Sequence, residues 1–182
     1  MYFCNCILPL CNVFEGYLIS SLALASNMIN KASFLLLSAL LICCGAKDRE
    51  TCPQNWTPYG TRCFKFVSTT RSWSKSESHC VAIGGNLASV HSIAEYHFIQ
   101  ELLRKHTQGT PGTWIGGNDA AQEGLWIWSD GSKFNYTKWY RGEPNNYDGK
   151  EHCIVMNWAG STLWNDFICD VEFPSVCAVQ SV

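Results

Sequence analysis

The sequence is poor in charge and has no excess of either sign. Lys and Arg total 13, Asp and Glu 15, the formal net charge is −2, and only 15% of residues are charged. That balance excludes a nucleic-acid binder working through a basic surface. It also lacks the charge density of a solvated disordered chain. There is no internal repeat, heptad run, collagen-like triplet or low-complexity tail. The EF-hand pattern of spaced Asp residues ahead of a Gly is absent. No Cys-x-x-Cys pair occurs beyond residue 46, which argues against a thiolate zinc site. No nucleophile–base pair or metal-activated water site is visible, so an enzyme is the least supported class.

Cysteine and tryptophan, by contrast, are plentiful: eleven Cys and eight Trp in 182 residues. The length suits one domain with a leader. The Cys count points to metal or to an oxidising compartment. The cysteines divide into Cys4, Cys6, Cys11, Cys43 and Cys44, then Cys52, Cys63, Cys80, Cys153, Cys169 and Cys177. The composition shifts between the two groups, because residues 1–46 carry only Glu15 and Lys31 as charges.

Met28–Ala46 reads as a secretory signal. Lys31 gives the positive start, Ala32–Cys44 the apolar run, and Gly45-Ala46 the small residues of a cleavage site. Residues 1–27 are apolar without a basic start, so a start at Met28 and an unusually long leader both stay open. The competing reading is a membrane anchor over residues 17–44. Ala32–Cys44 is shorter than the ~20 residues of a span. Extending it to Tyr17 places Lys31 inside the bilayer at a cost of about 2.5–3.5 kcal/mol. The expected division is a leader at 1–46, with its signal at 28–46, and one mature domain at 47–182 beginning near Lys47.

In that domain, Cys63–Val67 alternates as a half-buried strand does. A first helix is expected from a capping box at Ser74 and Glu77, with Trp73, Cys80 and Val81 on one face and Gly84-Gly85 as its stop. A second starts at Ser92 with Glu95 three residues on, and carries Ile93, Tyr96, Ile99 and Leu103 at helical spacing before a turn at Gly109–Gly112. Short strands are then expected at Trp114–Gly116, Leu125–Trp128, Cys153–Met156, Ser161–Trp164 and Ser175–Val179, with a turn at Asp130-Gly131. Two helices followed by many short strands make an α+β domain. Trp139–Lys150, rich in Gly, Pro and Asn, has no apolar period and reads as a long loop of the kind that usually carries function.

That loop and the segment after it offer oxygen ligands: Glu143, Asn145, Glu151, Asn165 and Asp166. An oxygen-only set suits a hard cation, and a flexible loop suits Ca²⁺ better than Mg²⁺. Three carboxylates repel one another unless a cation is present, so the loop should be loose without metal and ordered with it. The bland alternative is an acidic, solvated turn. The six cysteines of the mature domain permit fifteen pairings, among which spacing cannot choose.

Taken together, these residues resemble a known family. Cys52 to Cys177, with Trp114-Ile115-Gly116-Gly117, Glu143-Pro144-Asn145, Glu151-x-Cys153, Trp164-Asn165-Asp166 and Cys169, looks like a complete C-type lectin-like domain. It is most similar to the secreted fish lectins related to type II antifreeze proteins. The resemblance implies two helices flanking two small antiparallel sheets with a long Ca²⁺-binding loop. It also implies the bridges Cys52–Cys63, Cys80–Cys177 and Cys153–Cys169. It carries over the principal Ca²⁺ and carbohydrate site as Glu143, Asn145, Glu151, Asn165 and Asp166, with Pro144 as a cis proline. Tyr147 lies two past Asn145, where a side chain can pack on a sugar. Glu-Pro-Asn resembles the mannose-type arrangement (mannose, fucose, N-acetylglucosamine), whereas galactose-type members carry Gln-Pro-Asp. Asp119 and Glu123 match the first two acids of an auxiliary Ca²⁺ site, while Asn146 and His152 stand where the family often has acids.

The other features read more plainly. The eight Trp are expected in core packing, with Trp158 as the one candidate sugar platform, and the five His show no zinc or triad spacing. Asn55-Trp-Thr57 and Asn135-Tyr-Thr137 are acceptor sequons for a secreted chain. Three functions compete. The first is a secreted Ca²⁺-dependent lectin for mannose-type glycans in innate recognition of microbes, made effective by oligomerisation. The second is an ice-binding protein, using Thr137, Ser161 and Thr162. The third is a membrane-anchored receptor for a protein ligand.

Overall fold

The structure is a computed structural model that describes residues 51–181. The expected leader at 1–46, its signal at 28–46 and the start near Lys47 lie outside the described residues.

Strand β1 (Thr57–Tyr59) turns at Gly60 into β2 (Arg62–Arg71). Helix α1 (Trp73–Ala82), a short β3 (Asn86–Leu87) and helix α2 (Ile93–His106) follow. The second half holds β4 (Thr113–Asn118), β5 (Ile127–Trp128), β6 (Cys153–Met156), β7 (Trp164–Phe167) and β8 (Phe173–Gln180). The pairing order is β1-β2-β8-β4-β6-β7, with β3 on β8 and β5 on β4. The two expected antiparallel groups are present, one around β2 and β8, the other around β4, β6 and β7. A single parallel pairing, Trp114 with Ser175, joins them into one mixed sheet.

Helix α2 forms as its sequence predicts. The Ser92 hydroxyl accepts from Glu95 N at 3.1 Å, and Tyr96, Ile99 and Leu103 are buried, although Ile93 is exposed. Helix α1 differs from expectation. It starts at Trp73 after Ser72, with no side-chain cap. Glu77 does not reach back to the helix end. Its carboxylate accepts from Asn86 Nδ2 (2.6 Å), Leu87 N (2.8 Å) and Ser129 Oγ (2.9 Å). It therefore ties α1 to β3 and to the strand-end turn at Ser129. Val81 is 57% exposed, so the buried face of α1 is Ser76 and Cys80 rather than Val81. Leu125 is also exposed, and the strand expected at 125–128 is only Ile127–Trp128.

The strand expected at Ser161–Trp164 begins only at Trp164. A tight turn precedes it, with Asn157, Ala159 and Gly160 all at positive φ. Trp158 N donates to Leu163 O at 3.0 Å across that turn.

Three bridges staple the sheet: Cys52–Cys63, Cys80–Cys177 and Cys153–Cys169. They match the pairing implied by the resemblance. The Trp-Ile-Gly-Gly run has a packing reason. A Cβ on Gly116 would lie 2.6 Å from Leu87 O, and one on Gly117 would lie 2.2 Å from Ile154 Cδ1. Only a bare backbone lets β4 approach the β3 chain and Ile154 that closely.

Candidate functional site

The long loop is fastened at its start by backbone and by aromatic rings. Trp164 N donates to Lys138 O at 2.8 Å, and Tyr140 N donates to Trp164 O at 2.7 Å. Around fully buried Trp164 stand Tyr96, Trp128, Tyr136 and Trp139, each edge-on at 5.8–5.9 Å between centroids. Edge-to-face packing of this kind is worth about 0.5–1.5 kcal/mol per pair beyond area burial. At the other end, the Cys153–Cys169 bridge holds β6 to the segment after β7. The segment from Glu143 to Glu151 hangs between two fixed points.

Inside it the Glu143–Pro144 bond is cis, as expected. Asp166 is the hub. Its Oδ1 accepts from Asn145 N at 3.1 Å and its Oδ2 from Asn146 N at 2.7 Å. Asn146, at φ 44°, turns the chain. Its side-chain oxygen accepts from Glu151 N at 3.1 Å, while Glu151 Oε2 accepts from Tyr147 N at 3.2 Å. The structure thus brings Glu143, Asn145, Glu151 and Asp166 to one place, with Asn165 next to Asp166 in β7 and with Glu151, Asn165 and Asp166 buried. Tyr147 lies in the same turn and is 70% exposed.

The electrostatics are unbalanced. Among the described residues no Lys or Arg pairs with Glu143, Glu151 or Asp166. Burial, then the Asp166 charge, raises the Glu143 carboxyl above its ordinary value, and Glu151 adds to the effect. The Glu151 carboxyl is raised by burial and by Asp166, against a lowering contribution from the Tyr147 N–H. Two oxygens here, Glu143 Oε2 and Asn165 Oδ1, are buried without any hydrogen-bond partner. Seven other buried side-chain atoms of the described residues also lack a partner, so these two orphans draw their weight from the unbalanced carboxylates of Glu143, Glu151 and Asp166 around them. The donor set is all oxygen, which fits a hard cation such as Ca²⁺.

Asp119, Glu123 and His152 form a second group. His152 Nδ1 lies 3.0 Å from Asp119 Oδ1 and 3.7 Å from Glu123 Oε2. Thirty-three positions separate Asp119 from His152, so no local motif announced this contact. The sequence signal was the resemblance, which sets Asp119 and Glu123 as the first two acids of an auxiliary site and His152 where the family often has a further acid.

Elsewhere, Ser89, His91, Asp130 and Ser132 meet, but Asp130 accepts from the two serines and leaves His91 without an orienting carboxylate. That arrangement is a structural network around the Arg62–Glu95 ion pair, not a relay. Trp158 packs on Phe167 at 4.9 Å and serves the core. Asn55 and Asn135 are both exposed, as a modified asparagine must be.

A family model described as the lectin C-type domain matches residues 69–179. The chain belongs to the C-type lectin domain family. Members of this family are binding modules, not enzymes. The chain is 55% identical to ladderlectin of Oncorhynchus mykiss over 130 residues, which cover 71% of this chain and 68% of that relative. It is 45% identical to the galactose-specific lectin nattectin of Thalassophryne nattereri over 129 residues, covering 71% and 80%. Among solved structures, herring type II antifreeze protein superposes with a TM-score of 0.68 at 33% identity, covering 72% of this chain and 100% of that one.

Proposed function

We propose that this C-type lectin domain is a secreted, Ca²⁺-dependent lectin that binds mannose-type glycans. The observation that supports it most is the gathering of Glu143, Asn145 and Glu151 around Asp166, with Asn165 next to it in β7 and no Lys or Arg among the described residues pairing with the three carboxylates. Bound among these groups, Ca²⁺ would neutralise the three carboxylates and offer open positions to two vicinal sugar hydroxyls. Glu143 and Glu151 then accept hydrogen bonds from those hydroxyls. Asn145 and Asn165 donate to them through their amides, which uses both capacities of each hydroxyl. Tyr147 gives an exposed ring beside them for the apolar face of a sugar.

A single shallow site binds weakly, so recognition of a microbial surface in innate defence requires several domains acting together. The name of nattectin supplies the direct competitor, a galactose-type preference. The experiment is retention on mannose-agarose with Ca²⁺, followed by elution with EDTA, mannose or galactose. Retention abolished by EDTA and reversed by mannose is expected. Elution by galactose at lower concentration would overturn the mannose-type reading alone, and indifference to EDTA would overturn the calcium reading as well.

Ice binding is the second reading, favoured by the likeness to herring type II antifreeze protein. Of its three hydroxyl residues, Ser161 already donates to Trp158 O at 2.7 Å, which leaves Thr137 and Thr162 without a regular array. Absence of thermal hysteresis in dilute solution removes it. Among the described residues no helix is long and apolar enough to cross a membrane. N-terminal sequencing that begins near residue 47 would exclude the anchored-receptor reading.

A further inference from the structure

We propose that Asp119, Glu123 and His152 form a binding site for a borderline divalent metal of the zinc type, separate from the Ca²⁺ ligands. The family resemblance places an auxiliary Ca²⁺ here, and the donors do not fit it. Ca²⁺ takes six to eight oxygens, whereas this group offers two carboxylates and one imidazole nitrogen. Asn146 does not enlarge the oxygen set. Its side-chain oxygen is committed to Glu151 N, and it turns its Nδ2 to Glu123 Oε2.

The same donors suit Zn²⁺. Imidazole is a preferred ligand of zinc, and three protein ligands with one open position form a recurring zinc arrangement. The ligand atoms all lie within 4.8 Å of one another, with 3.0 Å from His152 Nδ1 to Asp119 Oδ1 and 3.7 Å to Glu123 Oε2. A tetrahedral ion with bonds near 2.0–2.1 Å needs ligands about 3.4 Å apart, so these separations bracket the requirement.

The surroundings hold two of the ligands in place. Asp119 N donates to His152 O at 3.1 Å, at the ends of β4 and β6, which are paired at Asn118 and Cys153. Gly124 N occupies Asp119 Oδ2 at 2.8 Å and leaves Oδ1 to face the imidazole. Asn146 holds Glu123, the outer-shell orientation that metal-binding carboxylates commonly have. The side chain of Asp119 is 1% exposed, that of His152 31% and that of Glu123 57%, so the group has a fixed floor and an open mouth.

The test is metal binding by the untagged, chelator-stripped protein as secreted, titrated with Zn²⁺ alone and then with Co²⁺ alone, each in saturating Ca²⁺. One Zn²⁺ per chain is expected without release of Ca²⁺, and Co²⁺ should give the visible bands of a low-coordinate site. His152→Gln should weaken both by tenfold or more, and its half-exposed position keeps the fold intact. His152→Asp restores an oxygen-only set and should shift preference toward a second Ca²⁺. Glu143→Gln should leave Zn²⁺ binding unchanged while removing Ca²⁺ binding, so failure of the zinc site and failure of the calcium site read out separately. Zn²⁺ binding equal in His152→Gln and the parent, no Zn²⁺ binding at all, or Zn²⁺ displacing the only Ca²⁺ would each overturn the proposal.

Discussion

Removing calcium should loosen this domain by an amount that depends on pH in a defined direction. A ligand present at a hundredfold its Kd, and bound only by the folded state, adds about 2.7 kcal/mol of stability. For a domain of this size, each kcal/mol moves Tm by about 3–5 °C. Saturating Ca²⁺ should therefore raise Tm by about 8–13 °C at pH 7, read by differential scanning calorimetry or by tryptophan fluorescence. In the metal-free protein, burial and the Asp166 charge raise the Glu143 carboxyl, and the same causes raise Glu151. A carboxyl raised on folding stabilises the native state fully below its unfolded value and loses that contribution as pH rises through the folded value. Acidification from pH 7 toward pH 5 should thus relieve the metal-free protein of part of its repulsion. The calcium-bound protein needs the same carboxylates ionised, so its advantage shrinks over the same interval. The two melting curves converge as pH falls. Glu143→Gln removes one of the repelling charges and should lose most of the calcium response without melting below the parent in EDTA. A Tm indifferent to Ca²⁺, a calcium shift that grows on acidification, or a full shift retained in Glu143→Gln would refute this reasoning.

Two further outcomes test the frame around the site. Glu95→Ala removes the 2.6 Å partner of the part-buried Arg62 guanidinium, which keeps Ser89 and Asp130, and also frees His91 N, so urea denaturation should show a loss of about 1–3 kcal/mol. Gly116→Ala drives a methyl group to 2.6 Å from Leu87 O and 2.8 Å from Ser129 Oγ. Backbone shifts of that kind cost typically about 1–3 kcal/mol, visible as a lower denaturation midpoint, whereas Gly109→Ala meets open space and should be close to silent.

The parts of the fold that were legible in the sequence are those where local chemistry and tertiary packing agree. Helix α2 has its cap at Ser92 and its apolar period on Tyr96, Ile99 and Leu103, and both are realised. At α1 they conflict. Ser74 and Glu77 have capping-box spacing, yet Glu77 gains more from three donors on β3 and Ser129 than from a helix end. No local pattern encodes a partner 52 positions away. The strand after Trp158 starts later than its apolar letters predict, for a similar reason. Its apolar letters begin before the chain has finished a turn that needs positive φ at Asn157, Ala159 and Gly160. The oxygen-bearing residues proposed as ligands stand out because they are clustered in the chain and of one chemical kind. The Asp119–His152 contact is made by strand pairing between β4 and β6, so only the family resemblance, which set both residues in one auxiliary site, pointed to it.

The long loop also answers the bland reading of an acidic, solvated turn. Such a turn would turn its carboxylates to water, where screening makes mutual repulsion cheap. Here Glu151 and Asp166 are buried and Glu143 has one oxygen shut away from any partner. Like charges drawn together out of water are unfavourable by several kcal/mol per ion unless something opposes it. What opposes it is visible on either side. The Trp164 aromatic cage fastens the loop before Glu143, and the Cys153–Cys169 bridge closes the chain after Glu151. Two backbone N–H groups on Asp166 and one on Glu151 add favourable but partial compensation. The fold therefore concentrates rigid packing around three carboxylates that it leaves electrostatically unsatisfied. Packing that strong is consistent with a preorganised cation site and has no use in a surface turn. On this reading the near-neutral net charge conceals a local excess of negative charge, which a bound cation rather than Lys or Arg would balance.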